Sequence, residues 1–402
     1  MRVLQLQNPK ELRQVMKDIN VDGYGIKIML PKAISHLVKL HSVSNITANI
    51  LKQEMLSLGG DVAVARGALT GQTRKTDCLL MGTLSQFNRL HDKLARQPFG
   101  LNGLARELSS TLDRYQQDNF ILSLGKYRLN LARRPQIMGV INVTPDSFSG
   151  DGLYQNSRFT VDSSQYIIDF AQQMVRDGAD IIDIGGESSR PNALPVTLKE
   201  ELARVIPVIK TLARKITVPI SIDTHKPEVA RAALDNGAAI INDITGLRNS
   251  RMIKLAAQHR CGVVIMHMRG MPQTMQIDPK YDSLIDDIIV YLDTAIRKAL
   301  DGGVQFDKII VDPGIGFGKT KEHNLGILKY LSDLKVLGRP IMVGPSRKSF
   351  IGKILHVEPQ ERTFGTVSAC VLAVKNGAKL VRVHDVRAVK QALSVLNAID
   401  NA

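Results

Sequence analysis

From residue 136 onward one pattern recurs eight times: a short β-branched apolar run, a polar or Gly-rich loop, then a longer stretch with helical spacing. The runs are QIMGVINV from Gln136, ADIIDIGG from Ala179, VPISIDT from Val218, AAIINDIT from Ala238, GVVIMHM from Gly262, KIIVDPG from Lys308, RPIMVGPS from Arg339 and KLVRVHD from Lys379. Each is apolar nearly throughout instead of alternating, the pattern of parallel strands buried on both faces. The intervals leave room for a crossover helix between successive strands. Residues 160–177 end at Gly178, and residues 197–214 open with Thr197 followed by Glu200, a capping-box spacing, so two of those helices are specified locally. Eight βα units in about 265 residues match the usual size of a (β/α)8 TIM barrel. An open doubly wound sheet is the alternative, because periodicity alone does not establish closure.

A chain of 402 residues has room for a second, smaller domain. We expect a small α/β domain over 1–118, a hairpin and linker capping the barrel over 119–135, and the barrel over 136–402. ILSLGKYRLNLA from Ile121 alternates around a Gly-Lys turn and reads as a β-hairpin. Within 1–118, MRVLQL, YGIKIML, DVAVAR and DCLLMGT read as short strands between the helical stretches ITANILKQEMLSL and SQFNRLHDKLARQ. That part carries no chemical motif, and its His36, His41 and His91 lack metal-ligand spacing.

Composition narrows the class. Apolar residues at 44% and charged residues at 23% exclude a disordered, collagen-like or disulfide-scaffold chain. Cys78, Cys261 and Cys370 form no CxxC pair, which fits a reducing compartment. No apolar run approaches the roughly 18 residues of a membrane helix, and the start, MRVLQLQNPKELRQ, is charged where a signal peptide needs an apolar stretch. A cytoplasmic protein without a membrane partner is the expectation. The net charge of +15 raises nucleic-acid binding, but residues 1–130 hold 18 Lys/Arg against 10 Asp/Glu and the remainder 35 against 28. There is no dense basic block, and aromatics are 4% with no Trp. The expectation is therefore no nucleic acid, with some of the cations serving a small anionic substrate.

In a TIM barrel the carboxyl ends of the strands and the loops after them meet at one mouth. Here those ends are Asn142 before TPDSFSGDG, the GGESSRP loop, Asp223, Asn242-Asp243, Met266-His267, Asp312 before PGIGFGK, Ser346-Arg347-Lys348, and Arg382 with His384. Arg190, Arg382, His384 and the Asn142 amide form a donor set suited to phosphate oxygens. Asp223, Asn242, Asp312 and Lys348 mix donors and acceptors, which suits a flat heterocycle bearing several NH groups and a carbonyl. No His-rich cluster accompanies the acids, so the pattern speaks against zinc and for a transient Mg²⁺ on substrate phosphates. PGIGFGK lacks the GxxxxGK[ST] spacing of a nucleotide loop.

Seven ordered blocks, NVTPDSFS at 142–149, GGESSRP at 185–191, SIDT at 221–224, INDI at 241–244, DPGIGFGK at 312–319, SRKSFIG at 346–352 and RVHDV at 382–386, resemble the successive motifs of dihydropteroate synthase. The resemblance implies a TIM-barrel transferase, usually a homodimer. Its members join 6-hydroxymethyl-7,8-dihydropterin pyrophosphate to p-aminobenzoate, releasing pyrophosphate and 7,8-dihydropteroate by an SN1-like route in folate biosynthesis. It implies that Asp223, Asn242, Asp312 and Lys348 hold the pterin ring, with Met266, Phe317 and Gly344 shaping its slot. It implies that Asn142, Ser189, Arg190, Arg382 and His384 hold the pyrophosphate, and that Asn142 helps place Mg²⁺. The p-aminobenzoate pocket would be Phe148, Pro191 and Ser349, the loops 143–152 and 187–195 would close over it, and sulfonamides would compete there. Asp223, Asp312, Lys348, Arg382 and His384 are the residues expected to carry catalysis.

Ser189 stands where Thr is usual in the family, Asn192 where Gly is usual, Pro345 precedes Ser346, and FSGDG replaces the common FSDGG. Residues 1–118 have no counterpart in the usual family barrel. The rival within the fold is a pterin-binding methyltransferase, which needs no pyrophosphate site and so gives no purpose to Lys348, Arg382 and His384. A rival of another class is a catalytically silent binding protein in which residues 1–118 act.

Overall fold

The computed structural model describes residues 1–4, 9–143, 161–188, 195–270 and 274–401, with the backbone alone at Leu69 and 161–164. It divides into two units, Met1–Asp113 and Arg114–Ala402. The first contains β1 (Ser35–Ser44), β2 (Asp61–Val64) and β3 (Lys75–Thr83), an antiparallel sheet in the order β1-β3-β2. Its core gathers Leu51, Met55, Leu80, Phe87, Leu90 and Leu94. The stretches expected to be helical form Asn45–Ser57 and Leu84–Leu94, the latter opened by a reciprocal Thr83–Gln86 capping box. DVAVAR and DCLLMGT form β2 and β3, whereas two of the four expected strands differ. YGIKIML lies within the helix Gly23–Ala33, where Asp22 Oδ1 accepts from the Tyr24 and Gly25 N–H groups at 2.8 and 3.0 Å. That cap settles a short apolar run which periodicity leaves ambiguous. Residues 1–4 of MRVLQL have no regular structure, and its remainder lies outside the described residues.

The second unit opens with the hairpin β4 (Ile121–Leu124) and β5 (Tyr127–Asn130), turned through Gly125 at φ +60°. The eight apolar runs then form β6 (Gln136–Asn142), β7 (Ile181–Gly185), β8 (Ile220–Asp223), β9 (Ile240–Asp243), β10 (Gly262–Met266), β11 (Ile309–Asp312), β12 (Ile341–Val343) and β13 (Ala378–Val383). These pair in parallel, each with the next, and β13 pairs back to β6, so the sheet is a closed barrel and the open-sheet alternative falls. The helix Leu198–Lys215 starts where expected, with Thr197 accepting from the Glu200 N–H at 3.3 Å.

Leu122 and Leu124 of the hairpin join Phe120, Leu131 and the inward residues Met138, Ile181, Ile240, Val264, Ile310, Met342 and Leu380 in one buried cluster. The amino-terminal half of the barrel is thus filled with apolar side chains, and the polar strand ends are left to the opposite mouth. A Cβ on Gly262 would fall 2.7 Å from Leu124, so Gly262 makes room for the hairpin. Leu124→Ala should lower the barrel's stability by about 2–5 kcal/mol through lost transfer energy and a residual cavity. A reduced urea midpoint with an unchanged slope checks this.

Candidate active site

Strand register brings the polar strand ends into line. Asn142, Gly185, Asp223 and Asn242 are successive partners across β6, β7, β8 and β9, and Met266 is paired with Asp312 across β10 and β11. At Gly185 a Cβ would lie 3.4 Å from the Asp223 Cβ and 3.7 Å from Asn142 Oδ1, so the glycine opens the row between these side chains. The loop after β11 needs its glycines for a different reason. Gly314 has φ +70°, and a Cβ there would stand 2.0 Å from the His267 carbonyl oxygen. The DPGIGFGK segment therefore lies backbone against backbone on the end of β10.

Arg382 reaches from β13 into the barrel and binds two carboxylates. Its Nε donates to Asp183 Oδ2 at 2.7 Å, and Nη2 lies 2.6 Å from both Asp183 Oδ2 and Asp223 Oδ2. Asn242 Nδ2 donates to the same Asp183 oxygen at 3.1 Å. Burial pushes the Asp223 carboxyl up to about 7, the Arg382 charge opposes that, and Asp183, Glu201 and Asp243 add to it. Burial also disfavours the charge on Arg382, but Asp183 and Asp223 outweigh it and hold the guanidinium above its usual value. Arg382 therefore joins the two residue sets that the sequence separates, one for an anion and one for a ring.

Around Asp312 the charges are reversed. Burial raises its carboxyl to about 6, opposed by a 2.6 Å hydrogen bond from the Gly314 N–H and by the charges of Lys348, Lys319 and Arg382. The fully buried Lys319 ammonium lies 2.9 Å from His267 Nδ1 and donates to the Phe317 carbonyl at 3.0 Å. Burial lowers Lys319 to about 7, with Asp312 pulling it up and Lys348 pushing it down. Burial, with Lys319 beside it, takes His267 down to about 2, so the imidazole is neutral and accepts from Lys319. The Lys348 ammonium stands 4.1 Å from the Phe317 ring centroid, and Phe317 packs with Ile244, Met266, Met268 and Met275. A flat apolar wall is thus bordered by carboxylates, an amide and an ammonium, which can take a planar ring through its faces and its polar edge at once.

The backbone that presents Lys348 is specially held. Arg347 has φ +56°, unusual for a non-glycine residue, and is fixed from both sides. Its N–H donates to Thr366 Oγ1 at 3.1 Å and its carbonyl accepts from Arg362 at 3.0 Å. Lys348 then stands at the position preceding the helix Ser349–Leu355, in extended backbone and without a side-chain capping bond. His384 Nδ1 lies 3.0 Å from Ser346 Oγ, and a Cβ on Gly344 would lie 3.7 Å from the Arg382 Cβ. Phe148, Ser189, Arg190 and Pro191 lie outside the described residues, as does most of the loop 143–152.

Two residues of this site, Asp183 and Lys319, escape sequence reasoning, as does the pairing of the strand-end His267. Asp183 is fully buried at the hub of the Arg382 network, and its second oxygen has no partner among the described residues. A carboxylate inside the apolar run ADIIDIGG was the available signal. Lys319 closes the DPGIGFGK block, and His267 follows β10; only contact across the barrel reveals that they pair.

The chain matches the family model described as pterin binding enzyme over residues 138–384. It is 47% identical over 280 residues to the dihydropteroate synthase of Synechocystis, covering 69% of this chain and 94% of that protein. Among solved structures, it is similar to the dihydropteroate synthase of Yersinia pestis in a sulfonamide drug complex, with 41% identity and a TM-score of 0.66 over 70% of this chain and 100% of that one. The Xanthomonas albilineans dihydropteroate synthase with 4-aminobenzoic acid aligns at 40% identity and a TM-score of 0.65, covering 71% and 99%.

Proposed function

The chain belongs to the dihydropteroate synthase family of pterin-binding enzymes, and from that premise we propose how its barrel mouth performs the reaction. It is a transferase that joins the pterinylmethyl group of 6-hydroxymethyl-7,8-dihydropterin pyrophosphate to p-aminobenzoate, giving 7,8-dihydropteroate and pyrophosphate. The observation that carries this reading is the ring site itself: Asp223, Asn242, Asp312 and Lys348 set around the Phe317–Met266 wall. Asp312 accepts two parallel N–H groups of the pterin edge, while Asn242, Asp223 and Lys348 pair with the remaining ring atoms and Gly344 borders the slot.

The pyrophosphate is held by Arg382, His384 and Asn142, together with Ser189 and Arg190. Phe148, Pro191 and Ser349 take p-aminobenzoate, where sulfonamides compete. Among the described residues no three acidic, His or Cys side chains are grouped to hold a metal. Asn142 offers a neutral hard oxygen, which fits an ion that takes one or two protein oxygens and fills its shell with water and substrate phosphate. Mg²⁺ bound there with the pyrophosphate would neutralise charge on the leaving group.

Arg382 and His384 stabilise the negative charge that grows on the leaving pyrophosphate as the C–O bond breaks. The electron deficit left on the methylene carbon spreads into the dihydropterin ring, where Asp223 and Asp312 stabilise it. The amine nitrogen of p-aminobenzoate, unprotonated at neutral pH, then forms the new C–N bond and loses its proton. A substrate carrying a heavy-oxygen label in its bridging position tests the order of events. Movement of that label from the bridge into the non-bridging oxygens of the same phosphate in recovered substrate, without p-aminobenzoate, supports cleavage before attack, and full retention in the bridge counts against it.

The pH dependence follows from Asp312. Protonated below about 6, its carboxyl loses an acceptor site, so affinity for the pterin ring should rise with pH, and Asp223, held up at about 7, extends the rise until it levels off above about 8. The loss on the acid side should approach about tenfold per pH unit. Calorimetry with 6-hydroxymethylpterin from pH 5 to 8 checks this, and a flat profile would contradict it. We further propose a cytoplasmic homodimer. No described helix is long and apolar enough to cross a membrane, and sedimentation velocity tests the two-chain mass.

A further inference from the structure

Beside the ring site, one partly buried ammonium ties three backbone segments together. Lys226 lies three residues beyond β8, and its Nζ donates to Glu201 Oε2 at 2.5 Å, Glu187 Oε2 at 2.6 Å and the Val196 carbonyl at 2.9 Å. All three ammonium donors are used. Glu187 lies two residues beyond β7, and Val196 lies just before the helix Leu198–Lys215, so Lys226 holds both ends of the β7 loop. Glu187 draws the same neck together, because its Oε1 accepts the Val196 N–H at 3.2 Å. From the helix, Arg204 donates to the Gly186 carbonyl at 2.8 Å.

The other end of the network reaches the ring site. Glu201 is fully buried, and its Oε1 accepts from the Thr224 hydroxyl at 2.7 Å. That hydroxyl in turn accepts from the Lys226 N–H at 3.2 Å. Thr224 is the residue after Asp223, so the clasp fixes the loop neck relative to a ring-binding carboxylate. Stability alone does not call for such an arrangement, since buried ion networks are often matched by apolar packing of the same volume. What apolar packing cannot supply is directed bonds to both ends of one loop.

We propose that Lys226 is a positioning residue for substrate: through Glu187, Val196 and Glu201 it sets the neck of the β7 loop against the Asp223 strand end. The loop it sets carries Ser189, Arg190 and Pro191, so the inference rests on their assignment to pyrophosphate and p-aminobenzoate. Lys226 itself touches neither substrate. Its effect therefore falls on the KM values, through Pro191 for p-aminobenzoate and through Ser189 and Arg190 for the pyrophosphate substrate, while the ring residues Asn242, Asp312 and Lys348, on other strands, keep their geometry.

The test uses the full-length protein, with steady-state kinetics in both substrates, calorimetry with 6-hydroxymethylpterin and thermal melting. Glu187→Gln leaves the Glu201–Lys226 pair intact and should raise both KM values, that for p-aminobenzoate about tenfold, with kcat and ring affinity changed less than about threefold. Lys226→Met should raise that KM further, and Lys226→Arg should recover most of the loss. Two results would overturn the proposal: wild-type KM values in Glu187→Gln, or kcat, ring affinity and melting temperature falling together with no selective rise in KM. Arg190→Ala is measured in parallel. If it raises the KM for the pyrophosphate substrate while Glu187→Gln and Lys226→Met leave both KM values unchanged, the clasp is wrong and the loop assignment stands. If Arg190→Ala also changes nothing, the loop assignment has failed and the clasp with it.

Discussion

Arg382→Ala should lower kcat/KM for the pterin pyrophosphate by about a thousandfold or more, equivalent to about 4 kcal/mol of transition-state stabilisation. Two losses add. The leaving group loses a cationic donor, and Asp183 and Asp223 lose the guanidinium that spans them at 2.6–2.7 Å. Asp223 already sits at about 7 with Arg382 opposing its protonation. Without Arg382 it takes up a proton more readily, so its charge is missing at neutral pH when the ring cation forms. Removing one partner of a buried pair also costs about 3–5 kcal/mol of stability, so the urea midpoint should fall although the fold persists. Arg382→Lys should recover little, because an ammonium cannot reproduce the planar fork between two carboxylates. Activity of Arg382→Ala within about tenfold of wild type would contradict this account.

Asp312→Asn should weaken binding of 6-hydroxymethylpterin by at least about a hundredfold, or roughly 3 kcal/mol, while the barrel still folds. The amide turns one acceptor oxygen into a donor, facing a ring edge that itself donates. It also removes the negative charge that Lys319 and Lys348 share. Lys319, near 7 in a buried site, loses the partner that favours its charged form, and it should then be neutral at physiological pH. Calorimetry reads the affinity directly, and an unchanged affinity would remove Asp312 from ring recognition.

The barrel was legible because its strands are buried on both faces, so each run from Gln136 to Lys379 is apolar and bounded by turn residues. The strand-end position of Asp223, Asn242, Asp312, Lys348 and Arg382 followed from that, since a barrel has one mouth for them all. Pairings across the barrel did not follow. Nothing local to ADIIDIGG tells that Asp183 meets Arg382 from β13, or that Lys319 points back to His267. Sequence spacing fixes which strand a residue ends, not which side chain it meets on a strand distant in the chain. The amino-terminal unit is less legible for a local reason. β1 alternates, but its sequence SHLVKLHSVS mixes Lys and His into the pattern, whereas YGIKIML is apolar enough for either state and was decided by the Asp22 cap.

The central claim is tested most directly by incubating the protein with 6-hydroxymethyl-7,8-dihydropterin pyrophosphate, p-aminobenzoate and Mg²⁺, and following pyrophosphate and 7,8-dihydropteroate by mass. The account predicts the two products in equal amounts from the wild type and none above background from Lys348→Ala, whose ammonium borders the ring slot beside Phe317. No dihydropteroate from the wild type, or full turnover by Lys348→Ala, would contradict it.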